Sequence, residues 1–192
     1  MANKYSISEL LSISLSLILT KFSYPQARLI RRPIYIRGKR GLEGAVMLTT
    51  GYSCRFDLIG DKKTLHIGEY CEIGDNVHVV AYNSVTIGDN VLIASKVFIS
   101  DTSHGRYNGK IQDSPFVSPN SRELYSKTVE IGDNVWIGEN VVILPGSKIG
   151  SGCIVGANSV VIGTIESECI AVGSPAKVIK KWNSCMNKWE KL

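Results

Sequence analysis

The sequence predicts an all-β domain, a parallel β-helix built from six-residue repeats. Three observations support this prediction. Aliphatic residues recur every six positions over residues 67–99 and again over 131–161. Glycine and asparagine follow them at fixed spacing, as in "IGDNVL" and "IGDNVW". A second series of small or β-branched residues lies four positions after the first, so each unit offers two inward-pointing side chains and one turn.

The segment before the repeats contains a short amphipathic stretch. Its apolar run covers about residues 10–19, fewer than the ~18 residues that a membrane-spanning helix needs, and it lacks the features of a signal peptide. Leu10, Leu11, Leu17 and Ile18 share one face of a predicted short helix. Two interpretations stay open. The helix packs on the protein body, or it lies on a membrane surface with the help of nearby cations, namely Arg28, Arg31, Arg32, Arg37, Lys39 and Arg40.

Charge is unevenly distributed along the chain, whose net charge is +5. Residues 1–43 carry eight basic and two acidic side chains, and residues 176–192 carry five basic and one acidic. Basic ends suit phosphates or an anionic surface, but no nucleic-acid-binding motif accompanies them, so we expect no nucleic-acid partner. The five cysteines form no CxxC motif and no disulfide framework, which favours a reducing, cytoplasmic compartment.

The repeats predict the coils of the β-helix. Three hexapeptides make one triangular coil of about eighteen residues, with Gly, Asp and Asn at the corners, where left-handed backbone is least costly for these residues. A two-residue slip separates Val79 from Ile87. Cys71 and Cys153 fall in the inward series and are predicted to be structural.

The pattern stops at "SDTSHGRY", residues 100–107, and resumes at Ile131. Ile99 and Ile131 are 32 residues apart, which we interpret as one eighteen-residue coil with a fourteen-residue insertion, forming a loop over residues 105–128. In this register His104 and Trp136 stack at the same corner of successive coils. Long loops in compact domains usually carry function, and histidine, with a pKa near ~6.5, suits a general base.

Three segments, "IGDNVLIASKVFISDTSHG", "IGDNVWIGENVVILPGSKIG" and "AVGSPAKVIKKW", resemble the hexapeptide-repeat acyltransferases, more narrowly the bacterial sugar and polysaccharide O-acetyltransferases. The resemblance covers about residues 65–183. It implies a left-handed winding of the β-helix. It also implies a homotrimer, with acetyl-CoA as co-substrate bound between neighbouring subunits.

The resemblance also assigns roles to individual residues. His104 matches the general base, and Trp136 matches a tryptophan beside the acetyl and acceptor groups. Positions along CoA are matched by Glu139, Ala157, Ile162 and Lys177. Lys180 joins Lys177 as a cation suited to the CoA phosphates. "VVIGTIESE" departs from the family pattern around Ile162, and Gly74 stands where some sugar acetyltransferases place an asparagine.

Two further residues are candidates for acceptor contact because they flank the predicted corner. Asn83 lies at the two-residue slip, one coil before His104, where a turn role is equally compatible. Asp101 lies three residues before His104, where it could orient the imidazole or be solvated at the surface.

The expected organisation is an N-terminal helix and lead-in over residues 1–64, the β-helix over 65–175, and a short basic C-terminal helix or tail over 176–192. The expected function is transfer of acetyl from acetyl-CoA to a saccharide hydroxyl, in a bacterial surface polysaccharide or its precursor. It would act in the cytoplasm or at the periphery of the inner membrane. N-acetylation of a nucleotide amino sugar is the alternative.

Two functions of other classes fit less well. A γ-type carbonic anhydrase needs three zinc-binding histidines, and the three present, His66, His78 and His104, lack the family's close pair, so no metal is expected. An ice-binding β-helix needs a threonine ladder, and no T-x-T ladder occurs.

Overall fold

The structure is a computed structural model that describes residues 5–60 and 62–192. Helix α1 spans Ile7–Ser23. After it the chain winds as a parallel β-helix with three faces, and each strand pairs in parallel with the strand one coil later. The predicted β-helix of hexapeptide repeats, with an N-terminal helix and an inserted loop, is confirmed.

Each face of the β-helix is one sheet. Face A contains β1 (Leu29–Ile30), β4 (Thr49–Thr50), β7 (Glu72–Ile73), β10 (Leu92–Ile93), β15 (Trp136–Ile137), β18 (Ile154–Val155), β21 (Cys169–Val172), β22 (Lys177–Asn183) and β23 (Lys188–Lys191). Face B contains β2 (Ile34–Arg37), β5 (Cys54–Leu58), β8 (His78–Ala81), β11 (Phe98–Ser100), β16 (Val142–Ile143) and β19 (Val160–Val161). Face C contains β3 (Leu42–Gly44), β6 (Leu65–Ile67), β9 (Val85–Ile87), β14 (Val129–Ile131), β17 (Lys148–Ile149) and β20 (Thr164–Ile165). A separate hairpin pairs β12 (Thr102–His104) with β13 (Leu124–Ser126), and 3₁₀ turns span Lys39–Gly41 and Pro119–Ser121.

The corners divide two tasks between glycine and asparagine. The asparagines of the repeats have φ between 55° and 60°, in the left-handed region that asparagine tolerates; they are Asn76, Asn90, Asn134, Asn140 and Asn158. A glycine such as Gly68 permits the close approach of successive coils, because a Cβ there would lie 2.3 Å from Asp89 Oδ1.

The core is the column of inward side chains. Both predicted series are buried, and Cys71 and Cys153 are completely enclosed, as predicted. Burial raises the pKa of both thiols and raises that of Cys54 to about 11. These thiols therefore behave as small apolar groups.

Parallel coils begin well before residue 65. β1 pairs with β4 and β2 pairs with β5, so residues 29–58 wind on the same three faces as the repeats. Their inward side chains, including Leu48 and Phe56, are buried without following the six-residue signature. An inward position requires only an apolar side chain of suitable volume, which is why these coils are not visible as a repeat.

Helix α1 closes the N-terminal end of the β-helix with its polar side. Thr20 Oγ1 accepts a hydrogen bond from Ile30 N (3.0 Å), and Ser16 Oγ accepts one from Arg32 N (3.3 Å). Ile30 lies in β1, the terminal strand of face A, whose free edge needs such partners. The face with Leu10, Leu11, Leu17 and Ile18 therefore does not pack on the body; these side chains are 40–68% exposed. Neither α1 nor any other helix of the described residues has the length and apolarity to cross a membrane.

The predicted C-terminal helix is wrong. β22 and β23 form an antiparallel hairpin that extends face A beyond β21. Over Lys177–Trp182 exposed and half-buried residues alternate, the period of a strand, and Trp182 and Trp189 pack edge to face with ring centroids 5.3 Å apart. Pairing with β22 gives the last parallel strand a partner, which a helix could not do.

Candidate active site

His104 lies at the end of a strand in a hairpin that leaves the β-helix between faces B and C. It faces Leu124 across the β12–β13 pair, and its side chain is exposed. Lys127 N donates to Asp101 O (2.9 Å) and closes the neck of the hairpin. The inserted segment therefore leaves the β-helix before His104 and not after it. The imidazole lies on strand β12, which is anchored at its start by the hydrogen bond between Lys127 and Asp101.

Asp101 holds this neck from inside. Its carboxylate is fully buried and accepts hydrogen bonds from three successive backbone N–H groups, those of Tyr82 (2.8 Å), Asn83 (2.6 Å) and Ser84 (2.7 Å). The prediction that Asp101 contacts the acceptor or the His104 imidazole is wrong, because the Asp101 carboxylate is buried and accepts these three backbone hydrogen bonds instead. The two-residue slip at Asn83 provides the turn that binds Asp101, and the Asn83 side chain accepts a hydrogen bond from Lys62 Nζ (3.0 Å).

The register across the break differs from the prediction. Ile99 pairs with Ile143, 44 residues later, which exceeds the eighteen residues between Ile143 and Val161 by 26. Ile131 lies on face C and Ile99 on face B, so the insertion is 26 residues and not fourteen. The stacking of His104 and Trp136 in one copy is therefore wrong. Trp136 opens β15 on face A, opposite the B–C corner in the triangular cross-section, and is half exposed.

The predicted site residues fall into two groups on different sides of the molecule. Asn83, His104 and Ile162 belong to the corner between faces B and C. Trp136 lies on face A, and Glu139 and Ala157 lie at the corner between faces A and B. Lys177 and Lys180 lie on β22, which continues face A. One copy of the chain does not bring the two groups together.

A ladder of side chains runs along the A–B corner and ends at the predicted CoA positions. The N–H of Tyr52 donates to Asp75 Oδ1 (2.6 Å), and the N–H of Asp75 donates to Ser95 Oγ (3.1 Å) one coil later. The same register places Ala157 after Glu139, and a methyl group accepts no hydrogen bond. The Glu139 carboxylate instead pairs with Lys96 Nζ (3.1 Å). Neither the backbone N–H of Ser95 nor that of Glu139 therefore has the side-chain partner that the two earlier coils provide.

This interruption was visible in the sequence and was missed. The third residue of the repeat is aspartate in "IGDN" and alanine in "VGAN" at residues 155–158. Its meaning depends on knowing that this residue caps the N–H group of the coil before it, which is a contact between distant segments. Unpaired backbone N–H groups are the donors that stabilise an oxyanion.

Beyond His104, the loop over residues 105–123 is held by its own polar contacts. Arg122 donates to the hydroxyl of Tyr107 (2.7 Å) and to Val117 O (2.7 Å), and the Tyr107 hydroxyl donates to the carbonyl of His104. Arg106 lies over the ring of Tyr125, 4.7 Å from its centroid. Several apolar side chains stay uncovered, with Phe116 almost fully exposed. The loop is thus ordered around the histidine but leaves an apolar surface free.

The three histidines are too dispersed for a shared metal. His66 lies on β6 of face C and His78 on β8 of face B, whereas His104 lies on the hairpin. In the part of the chain that the structure describes, no group of three His, Cys, Asp or Glu side chains could hold a metal ion.

Comparison with known proteins decides the family. Residues 128–163 match the family described as bacterial transferase hexapeptide (six repeats), and residues 65–100 match the hexapeptide repeat of succinyl-transferase. The chain is 40% identical to a protein of Escherichia coli (strain K12) named "Putative lipopolysaccharide biosynthesis O-acetyl transferase", over all of this chain and 97% of that protein. The chain belongs to the hexapeptide-repeat acyltransferases.

Two further relatives of this hexapeptide-repeat acyltransferase align with a smaller part of the chain. Galactoside O-acetyltransferase of Escherichia coli (strain K12) is 40% identical over 62% of this chain and 55% of its own length. A crystal structure of a hexapeptide-repeat-containing acetyltransferase from Vibrio cholerae, complexed with acetyl coenzyme A, is 29% identical with a TM-score of 0.64. The structural alignment covers 75% of the present chain and 72% of the Vibrio cholerae chain.

Proposed function

We propose that this protein transfers the acetyl group of acetyl-CoA to a hydroxyl of a saccharide, in a bacterial surface polysaccharide or its precursor. The observation that carries the proposal is the interruption of the corner ladder over Glu139 and Ala157, which leaves the backbone N–H of Glu139 without a side-chain acceptor and available to a thioester oxygen. The full-length relative named for lipopolysaccharide biosynthesis supports the acceptor class. The free, mostly buried cysteines fit a reducing compartment, so we place the reaction in the cytoplasm.

In the proposed reaction the His104 imidazole removes the proton of the acceptor hydroxyl as its oxygen forms a bond with the thioester carbon. The carbonyl oxygen becomes an oxyanion and accepts a hydrogen bond from the backbone N–H of Glu139. The carbon–sulfur bond then breaks, and the imidazolium returns the proton to the leaving CoA sulfur. The products are the acetyl ester and free CoA, and His104 regains its starting state.

The same proposal requires more than one copy of the chain. Trp136 lies on face A, and Glu139 and Ala157 lie at the A–B corner, whereas His104 and Ile162 lie at the B–C corner. The site therefore becomes complete when the A–B corner of one copy faces the B–C corner of its neighbour. We propose a homotrimer, because a closed three-fold ring gives three equivalent clefts of this kind. The uncovered apolar side chains of the loop support its contact with the neighbouring copy and with the acceptor. Lys177 and Lys180, at the C-terminal end of face A, would bind the CoA phosphates.

Replacement of the general base tests the function. His104→Ala should lower kcat by ~10²–10⁴ and leave the Kd for CoA within about twofold, because a general base acts in the transition state. His66→Ala is the matched control, since His66 is also partly exposed but lies on face C. Acetylated saccharide and CoA release would be measured together. Near-normal turnover of His104→Ala, or transfer only to amine acceptors, would refute the proposal.

A further inference from the structure

Helix α1 presents a wide and mainly apolar face to solvent. Its buried residues are Ser16 and Thr20, which bond to the edge of the first coil. The opposite side spans roughly 160° of the helix circumference at 3.6 residues per turn. It carries apolar side chains that are 40–85% exposed, namely Ile7, Leu10, Leu11, Leu15, Leu17, Ile18 and Phe22. Ser14, whose hydroxyl donates to Leu10 O, and Lys21 also lie within this arc. This surface, the α1 apolar face, is wider than the stripe that a single neighbouring helix buries.

The coil beneath α1 is strongly basic. From Thr20 to Leu42 the chain contains no acidic residue, and its cations are Lys21, Arg28, Arg31, Arg32, Arg37, Lys39 and Arg40. Arg28 pairs with Glu72 and Arg37 with Asp57. Arg31 donates instead to the carbonyl of Thr50 and Arg32 to those of Ser16 and Ile30, so these contacts do not neutralise their charges. Lys39 and Arg40 form an exposed turn on the same coil. We call these seven residues the basic collar.

We propose that the α1 apolar face and the basic collar together dock the protein on an anionic phospholipid surface. An apolar helix face enters the boundary between headgroups and acyl chains, and nearby cations are attracted by anionic headgroups. A second copy fits this surface less well, because it would bring two basic collars against each other, and in each collar Arg28 and Arg37 alone of the seven cations pair with a carboxylate of the described residues.

The orientation of α1 has a structural cause that suits this role. The helix must satisfy the N–H groups at the edge of β1, so its serine and threonine side turns inward and its apolar side turns outward along the β-helix axis. In the trimer proposed above, three-fold symmetry places all three helices at the same end. This part of the inference rests on the proposed assembly. Three helices held on one trimer would bind a vesicle with higher avidity than one helix, because each bound helix raises the effective concentration of the others at the membrane.

Vesicle co-sedimentation of the full chain tests the docking. Wild type should sediment with phosphatidylcholine vesicles containing about one third phosphatidylglycerol, less with phosphatidylcholine alone, and less again at high salt. The double variant Leu11→Ser/Phe22→Ser should lower the partition coefficient about tenfold or more. Lys39→Glu/Arg40→Glu should lower it about tenfold or more on anionic vesicles only. Met186→Ser and Lys191→Glu, exposed residues of the C-terminal hairpin, are the matched controls and should bind as wild type.

Vesicle binding and acetyl transfer are measured separately, so a failure of the docking proposal can be distinguished from a failure of the catalytic proposal. Acetyl transfer to a soluble saccharide should be unchanged in Leu11→Ser/Phe22→Ser, so loss of vesicle binding with retained transfer supports the inference. The inference is overturned if the wild type does not bind anionic vesicles, or if either double variant binds them as tightly as the wild type. A changed oligomeric mass of Leu11→Ser/Phe22→Ser in light scattering would also overturn it, since the face would then be a contact between copies. The single variant Phe22→Ser, at an 85% exposed position, repeats the test if the double variant is unstable.

Discussion

At the scale of single residues, the proposed role of the Glu139 N–H group implies a conflict between stability and catalysis at position 157. A serine or aspartate at position 157 would give the N–H of Glu139 a partner, as Ser95 and Asp75 do for the coils before them. Alanine leaves the coil contact weaker and the N–H group free. The inferred oxyanion donor is therefore produced by the absence of a side-chain oxygen.

Ala157→Ser should consequently raise stability and lower activity. The added hydrogen bond is worth about 0.5–1.5 kcal/mol, and loss of a free oxyanion donor should lower kcat about tenfold or more. Thermal melting and steady-state kinetics measure the two effects. Ala157→Gly is the control, because glycine also lacks an acceptor and should retain most of the activity. An Ala157→Ser enzyme with wild-type kcat would contradict the assignment.

A second residue-level prediction concerns Asp57 on face B, which lies 3.0 Å from His78 Nε2 and 2.7 Å from Arg55 Nε. Burial alone would raise the pKa of Asp57, but the hydrogen bond with His78 and the charges of Arg55 and Arg37 outweigh it and hold the pKa below its usual range. A lowered carboxyl pKa stabilises the fold above the unfolded-state pKa, and this contribution is lost as the pH falls through the folded-state pKa. Asp57→Asn should therefore be less stable than wild type at neutral pH, and the difference in urea midpoint should shrink in acid. A difference independent of pH would show that the ion pairs do not contribute.

At the scale of elements, the hairpin can be shortened without losing the histidine. Beyond His104 the next pair is hydrogen-bonded, since Gly105 N donates to Glu123 O (3.0 Å), and a two-residue Asn-Gly turn can close such a pair. Replacing residues 106–122 with Asn-Gly should preserve the β-helix, because the neck at Asp101 and Lys127 is kept. We expect the KM for the saccharide to rise about tenfold or more while the Kd for CoA changes little, because the loop is proposed to contact the acceptor. Circular dichroism and acceptor kinetics are the measurements, and unchanged acceptor kinetics would exclude the loop from the site.

At the scale of the whole molecule, a site shared between copies predicts complementation. His104→Ala and Trp136→Ala homotrimers should both be impaired, because each lacks one side of every cleft. After denaturing and refolding an equal mixture, about a quarter of the clefts combine an intact His104 with an intact Trp136 in a three-fold ring. Activity should therefore rise to about a quarter of the wild-type level. Refolding each variant alone is the control, and a mixture no more active than its components would place the whole site within one copy.

The sequence by itself determined the architecture of the repeated coils and the position along the chain, at His104, where the repeats are interrupted. The six-residue period of Ile87, Ile93 and Ile99 is local information, because each unit makes its own strand and turn. The burial of Cys71 and Cys153 followed from the same period, and so did the end of the pattern at His104. These features depend on neighbours along the chain.

Only the tertiary structure decided which residues meet across coils. All three faces repeat the same motif, so sequence spacing could not show that Ile99 pairs with Ile143 and that Ile131 lies on another face. Asp101 likewise gained its role from N–H groups about eighteen residues away, and the C-terminal strands formed because β21 has an edge to pair. Hydrogen bonds between coils join segments distant in sequence, and a local period does not specify such partners.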